Sequence, residues 1–351
     1  MASDRGGAVT RVLVCDDSRV YAAALTRVLS YGGDITVAAV CATAGAAIAA
    51  LPSIRPDLVI MDLELPGMDG LTAVEEIMSS QPLPILVLSA RVSASGGRAA
   101  AALAAGALDA IAKDHLDLRD PAGVGAAAFR QRVKVLSRAR VIRHLRPELR
   151  AGLGRAYRAR RAAVIGVCAS TGGPRILAYL LGALPAGYPI PVLVVQHIGT
   201  GFAEGLAEWL DHTVRLRVAI ASSGAMAGPG AWIAPAGAHL KLTVTGRMHL
   251  DRGAVAGQHR PSGDVLFESI AAVAGRTGVA VVLSGMGTDG AVGAAAVRAR
   301  GGLTIAQDRE SSAVYGMPKA AIDLGVGVVL SPSEIAASLL ALIHEPQLGI
   351  W

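Results

Sequence analysis

At 351 residues the chain is long enough for about two domains, each burying its own core. Hydrophobic residues make up 52% and charged ones 17%, with only 3 Phe, 3 Trp and 6 Tyr, which excludes wholesale disorder and demands an aliphatic, alanine-rich core. The long uncharged runs 176–203 and 218–240 are interrupted by prolines such as Pro185, Pro189, Pro191, Pro229 and Pro235, so no membrane insertion is expected. Three cysteines without ligand spacing, and no apolar leader before the first strand, point to a reducing cytoplasm.

The net charge of +6 is uneven. Between Arg130 and Arg161 twelve Lys or Arg accompany a single acid, Glu148, a local +11 that leaves −5 for the rest. That stretch reads as a basic linker, 130–161, between blocks 10–129 and 162–351. No helix-turn-helix, zinc finger or aromatic-rich basic surface accompanies it, so nucleic acid is not an expected partner.

In the first block, RVLVCDD, DLVIMDLELP, PILVLSA and ALDAIAKD read as strands, the second of them DLVIMDLELP, and SRVYAAALTRVLS as a helix capped by Ser18. The alternation is that of a doubly wound α/β domain, whose ligands gather at the carboxyl ends of the strands. Asp16, Asp17 and Asp62 fall there, and Ser89 and Lys113 end the next two strands. Converging carboxylates repel unless a divalent cation neutralises them, and hard oxygen ligands suit Mg²⁺. Each residue alone has a plainer reading, as turn former or surface charge; five in order outweigh it.

The segments VCDDS, MDLELPGMDGL and VLSA, with the Lys after the last strand, resemble the receiver domain of bacterial response regulators. The resemblance implies a flavodoxin-like fold in which Asp62 accepts a phosphoryl group from a histidine kinase. Asp16, Asp17 and Asp62 would hold Mg²⁺, Ser89 would bond a phosphoryl oxygen and Lys113 would pair with its charge. The chain departs from the family pattern at Ala110, where an aromatic is usual, and at Asp114, where Pro is usual.

The second block is again α/β, with strands AAVIGV, PVLVVQH, VAVVLSG and LTIAQ. Ser170 lies in a Gly-rich turn after the first, His197 follows the second, and Asp289 sits among glycines after the third. Singly these are a turn, a structural His and a turn Asp. Together they supply the nucleophile, base and orienting acid of serine acyl transfer, in a chain order unlike that of α/β-hydrolases.

The motifs CASTGGP, QHIGTGF, WIAPAGAHL, HRPSGDVLF, LSGMGTDGAVG and TIAQDRESSAVYGMP, in that order, resemble the catalytic domain of the chemotaxis protein-glutamate methylesterases. The combined resemblance implies two doubly wound parallel-sheet α/β domains, the second Rossmann-like. It also implies a phosphorylation-regulated hydrolase that demethylates glutamate methyl esters and deamidates glutamines on methyl-accepting chemoreceptors. Ser170 would attack, His197 would carry the proton, Asp289 would orient the imidazole, and the Met286 backbone N–H would face the oxyanion. No cofactor is implied for that step. His259 and Arg260 are expected to be structural. Cys168, where the family usually has Gly, is expected as a small buried hydrophobe that tightens or distorts the turn before Ser170. The alternative is a catalytically degenerate, phosphorylation-controlled interaction module. The C-terminal SPSEIAASLLALIHE reads as an amphipathic helix capped by Ser331 or Ser333.

Overall fold

The computed structural model describes residues 9–89, 92–141, 162–199, 201–253 and 259–343, with the backbone alone at 92–96. The chain divides into two compact units, 1–143 and 144–351.

The first unit holds five parallel strands, β1 (Thr10–Cys15), β2 (Ile35–Cys41), β3 (Leu58–Asp62), β4 (Ile85–Ser89) and β5 (Asp109–Ala112), in the order β2-β1-β3-β4-β5. Helices α1 (Arg19–Ser30), α2 (Ala44–Ile54), α3 (Gly70–Ser80), α4 (Val92–Ala105) and α5 (Val124–Leu136) lie between and after them. β3 and β4 are buried end to end, as their unbroken aliphatic runs require of parallel strands covered on both faces. The strand DLVIMDLELP is the third in chain order, not the second. β2 precedes it, an edge strand with Ala38 and Ala39 at its centre and Val40 half exposed, so it lacks the burial pattern of its neighbours. Ser18 caps α1 as expected, its hydroxyl accepting from Tyr21 N.

Residues 130–136, expected as the start of the basic linker, are the second half of α5. Phe129, Val133 and Leu136 recur at helical spacing and are buried. The basic residues between them are engaged within the unit: Arg130 Nη1 donates to Pro121 O at 2.6 Å, Arg132 pairs with Asp109, and Lys134 with Asp34. Residues 137–141 follow as a turn and irregular chain, and the remainder of the expected linker, 142–161, lies outside the described residues.

The second unit is a seven-stranded parallel sheet in the order β14-β13-β12-β6-β7-β9-β8. Its strands are β6 (Val164–Ala169), β7 (Val192–Gln196), β8 (Val218–Ile220), β9 (Ala231–Ile233), β12 (Gly278–Val282), β13 (Leu303–Gln307) and β14 (Val328–Leu330). An antiparallel ribbon pairs β10 (His239–Leu242) with β11 (Met248–Asp251). The four strands visible in the sequence are β6, β7, β12 and β13; the three-residue strands and the ribbon are too short to show a period. The helices are α6 (Gly173–Ala183), α7 (Phe202–Thr213), α8 (Gly263–Ala274), α9 (Ala291–Ala299), α10 (Met317–Asp323) and α11 (Pro332–Ala341). Ser331, not Ser333, caps α11, in a capping box with Glu334. Among the described residues no helix is long and apolar enough to cross a membrane.

Each sheet reverses its winding once. From β1 the chain moves to β2 on one side and later to β3 on the other; from β6 it moves to β7, and later to β12 on the opposite flank. The loops at the carboxyl ends of the two flanking strands diverge there and open a crevice.

Candidate active site

In the first unit the crevice is acidic. Asp16 and Asp17 follow β1 and Asp62 ends β3, their carboxylates all within 4.8 Å of one another; Asp16 and Asp62 are buried and Asp17 is exposed. Lys113, next after β5, reaches across with Nζ 2.7 Å from both Asp16 Oδ2 and Asp62 Oδ2, and has hydrogen-bond geometry only to Asp62. Burial pushes the Asp16 carboxyl up, outweighing Lys113. Burial also works against the Lys113 charge, but its pairing with the two carboxylates prevails and holds it above the ordinary lysine value. Ser89, at the end of β4, is buried with its Oγ unpartnered. All five residues expected at this edge therefore come together. Gly70 was not evident in the sequence: a Cβ there would meet Leu63 Cα at 2.7 Å, so α3 starts this close to the Asp62 turn only with Gly.

Three carboxylates, one open to solvent, form a hard-oxygen set suited to Mg²⁺. Lys113 competes with any cation for Asp16 and Asp62. Lys113→Met is therefore expected to tighten Mg²⁺ binding by roughly tenfold, the scale of one partly buried charge. Calorimetric titration of the full chain checks this; weaker or unchanged binding would contradict the competition.

In the second unit, Ser170 follows β6, His197 follows β7 and Asp289 lies between β12 and α9. His197 N donates to Ala169 O at 2.8 Å, which sets the His beside the residue preceding Ser170. Asp289 is saturated. Its Oδ1 accepts from Ser262 Oγ at 2.7 Å and Asp264 N at 3.1 Å, and its Oδ2 from Gly263 N at 2.6 Å and His197 Nε2 at 2.7 Å. Two of these donors are the first N–H groups of α8, whose N-terminus favours an anion. Burial alone would raise the Asp289 carboxyl, but the bonds from His197, Ser262 and Gly263 outweigh it and hold the group far below the usual carboxylate range.

A carboxylate can only accept, so His197 Nε2 carries the proton and Nδ1 the lone pair. Nδ1 is buried and has no partner, and Ser170 Oγ has none among the described residues. The imidazole is thus turned opposite to the usual serine-protease arrangement, in which Nδ1 faces the acid. His259, expected to be structural, stacks on this ring at 4.3 Å between centroids and 17° between planes. Its sequence neighbourhood gives no sign of the stack, which arises from folding alone.

The nucleophile turn is built by close approach. Gly172 has φ +75° and ends the turn into α6. A Cβ on Gly285 would stand 2.7 Å from Ser170 Cβ and would overlap Met317 Sδ. Ser284, fully buried, ties three loops together: its O accepts from Ser170 N at 3.0 Å, its Oγ donates to Thr171 O at 2.8 Å, and its N donates to Gln307 Oε1 at 2.8 Å. A lone Ser after an apolar run carried no signal of this in the sequence. Gly285 N is used by Val314 O, and Gly285 O by Gly316 N and Met317 N, whereas Met286 N–H donates to no described residue. That leaves one backbone donor next to the Gly that touches Ser170.

Cys168 does not distort the turn. It sits in regular strand, in register with Val195 and Val282, with no positive φ. Its side chain fits because glycines face it: a Cβ at Gly263 would overlap Sγ and lie 2.8 Å from Cys168 Cβ, and one at Gly290 would lie 3.2 Å from Cys168 Cβ. Burial, with the Asp289 and Asp264 charges beside it, pushes this thiol well above its ordinary value, so it stays neutral and unreactive.

The CheB methylesterase family matches residues 165–339, and the response regulator receiver domain family matches residues 12–119. The protein-glutamate methylesterase/protein-glutamine glutaminase 2 of Anaeromyxobacter dehalogenans is 42% identical over 333 residues, covering 94% of this chain and 96% of its own length. A protein of the same description from Burkholderia lata is 38% identical over 335 residues, covering 95% and 98%. The crystal structure of the Thermotoga maritima CheB methylesterase catalytic domain is 38% identical and covers 52% of this chain and 98% of its own, with a TM-score of 0.50. Matched over nearly its full length, the chain belongs to the CheB methylesterase family, with a response regulator receiver domain ahead of the methylesterase domain.

Proposed function

We propose that the chain is a phosphorylation-regulated cytoplasmic hydrolase that removes methyl groups from glutamate methyl esters, and deamidates glutamines, on methyl-accepting chemoreceptors. The receiver ends with α5, the basic stretch after it joins the two domains, and the catalytic domain begins near residue 162. The observation that carries the reading is the commitment of His197 Nε2–H to an Asp289 already fixed by three other donors. It leaves the Nδ1 lone pair as the base beside Ser170.

Ser170 Oγ attacks the ester or amide carbonyl carbon as His197 Nδ1 takes the hydroxyl proton. The oxyanion of the tetrahedral intermediate meets the Met286 N–H, a type of donor worth about 3 kcal/mol in the transition state. Asp289 stabilises the imidazolium. Collapse breaks the bond to methoxide or amide, and His197 returns the proton so that methanol or ammonia leaves. A water, deprotonated by His197, then cleaves the acyl-enzyme, freeing the glutamate side chain and Ser170. The alternative of a degenerate interaction module rested on Cys168, and its regular strand geometry takes that ground away.

In the receiver, the Asp62 carboxylate would accept the phosphoryl group from a histidine kinase, with Ser89 Oγ and Lys113 Nζ bonding its oxygens. Asp16, Asp17 and Asp62 would hold Mg²⁺, which when bound neutralises charge on the phosphoryl oxygens.

Methanol release from a methylated receptor fragment, measured with the full chain with and without a small phosphodonor and Mg²⁺, tests the reading. Release is expected to rise with the phosphodonor, and Ser170→Ala to lower it by at least about 10,000-fold. Undiminished release from Ser170→Ala would refute the assignment of the nucleophile.

A further inference from the structure

The acidic crevice of the first unit holds one polar group beyond those assigned above. Tyr21, in the first turn of α1, presents its ring to Lys113, whose Nζ lies 4.7 Å from the ring centroid. Its hydroxyl is shut off from solvent and has no hydrogen-bond partner. Buried hydroxyls without partners are rare, because each forfeits the bonds it would make to water. Burial, with the Asp16, Asp62 and Asp114 carboxylates near it, pushes the phenol up, so it remains protonated and able to donate.

The neighbouring groups share this state. Ser89 Oγ is also buried and unpartnered, and Lys113 is divided between Asp16 and Asp62. Tyr21 and Ser89 thus bring two buried hydroxyl donors without acceptors to the crevice whose cation is Lys113. A tetrahedral oxyanion carried on Asp62 brings three strong acceptor oxygens to that place. The tyrosine ring lies against the ammonium of Lys113 by cation–π attraction, which keeps it beside the group that pairs with Asp62.

We propose that Tyr21 is a phosphoryl-binding residue whose hydroxyl donates to the phosphoryl group on Asp62. This rests on the reading of Asp62 as the phosphoryl acceptor, and the test separates the two. Beryllofluoride, a stable stand-in for the phosphoryl group, is titrated with Mg²⁺ into the full wild-type chain, Tyr21→Phe and Asp62→Asn. The dissociation constant and the ¹⁹F spectrum of the bound fluorines are measured, and Mg²⁺ alone is titrated separately.

Tyr21→Phe keeps the ring and its contact with Lys113 and removes only the donor. It is expected to weaken beryllofluoride binding about tenfold, the scale of one hydrogen bond to a charged acceptor, to shift one bound fluorine resonance, and to leave Mg²⁺ affinity unchanged. Equal affinity and an identical fluorine spectrum in Tyr21→Phe would overturn the inference. So would a matching loss of Mg²⁺ affinity, which would make the hydroxyl a support of the carboxylates. If wild type binds beryllofluoride no better than Asp62→Asn, the reading of Asp62 falls, and the Tyr21 inference with it.

Discussion

Asp289→Asn is expected to lower kcat about 10,000-fold, the loss seen when the acid of a serine triad becomes an amide, and to destabilise the catalytic domain as well. Both effects come from one feature. Each Asp289 oxygen accepts two strong hydrogen bonds, from Ser262 Oγ and Asp264 N on one side and from Gly263 N and His197 Nε2 on the other, where the Cys168 thiol adds a weak contact at 3.9 Å. An amide has one accepting oxygen and one donating NH₂, so whichever way it turns, two of these donors face another donor.

If the NH₂ faces Gly263 N and His197 Nε2, the imidazole is driven to the tautomer with its proton on Nδ1. The lone pair beside Ser170 then disappears. If it faces Ser262 and Asp264 N, the N-terminus of α8 loses its anion and a bond, a cost of about 1–3 kcal/mol. Kinetics with a methylated receptor fragment, imidazole ¹⁵N shifts and thermal unfolding read the two losses separately. Wild-type kcat in a variant of normal stability would refute the role of the carboxylate.

The pH dependence follows the same logic. Asp289 is held below its ordinary value of 3.8, so its stabilising contribution is complete above that pH and is lost as the pH falls toward the depressed value. Unfolding midpoints of wild type and Asp289→Asn should therefore converge in strong acid and separate above about pH 4.

The residues that ended strands in polar chemistry were legible without coordinates. Asp16, Asp62 and Ser170 terminate or follow apolar runs, and a parallel sheet admits a polar group only where the run stops. The doubly wound fold was legible for the same reason, since long buried strands are continuous in sequence. What stayed hidden depends on contacts between distant segments. Ser284 looks like any serine before a glycine, yet it fastens the Ser170 turn, Gln307 and Val314. His259 stacks on His197 although 62 positions separate them in the sequence. β2 was missed although ITVAAVC is mostly apolar, because its short run centred on Ala38 and Ala39 suits a helix as well as a strand, and as an edge strand it is half open to solvent. The basic stretch misled in its first residues, where charge count concealed the buried 129, 133, 136 face of α5.

Cys168 is where sequence and structure differed most, and it yields a prediction of comparable size. Gly263→Ala is expected to destabilise the catalytic domain by about 1–3 kcal/mol, the range for forcing an extra methyl into a packed core, and to depress activity through its neighbours. The added methyl would overlap the fully buried Cys168 Sγ and stand 3.3 Å from Gly290 Cα. Gly263 cannot retreat freely, because its N–H is bonded to Asp289 Oδ2 at 2.6 Å. Any shift of the α8 N-terminus is therefore passed to the carboxylate that fixes His197.

Cys168→Gly alone removes the thiol, with its weak S–H contact to Asp289 Oδ2 at 3.9 Å, and leaves a cavity between β6 and α8, a smaller loss that keeps the bonds from His197, Ser262, Gly263 and Asp264 to Asp289. The double variant replaces one small-large pair by its mirror image, the methyl of residue 263 entering the space vacated by the sulfur. Its stability and kcat should recover toward wild type, with a coupling of about 1–3 kcal/mol between the two sites. Denaturant unfolding and methanol release on the four proteins of this cycle decide the matter. Additive losses would mean that Cys168 and Gly263 do not share the same space. Recovery would identify the pair as a compensated substitution, in which the larger residue beside the nucleophile turn is tolerated because a glycine faces it across the helix N-terminus.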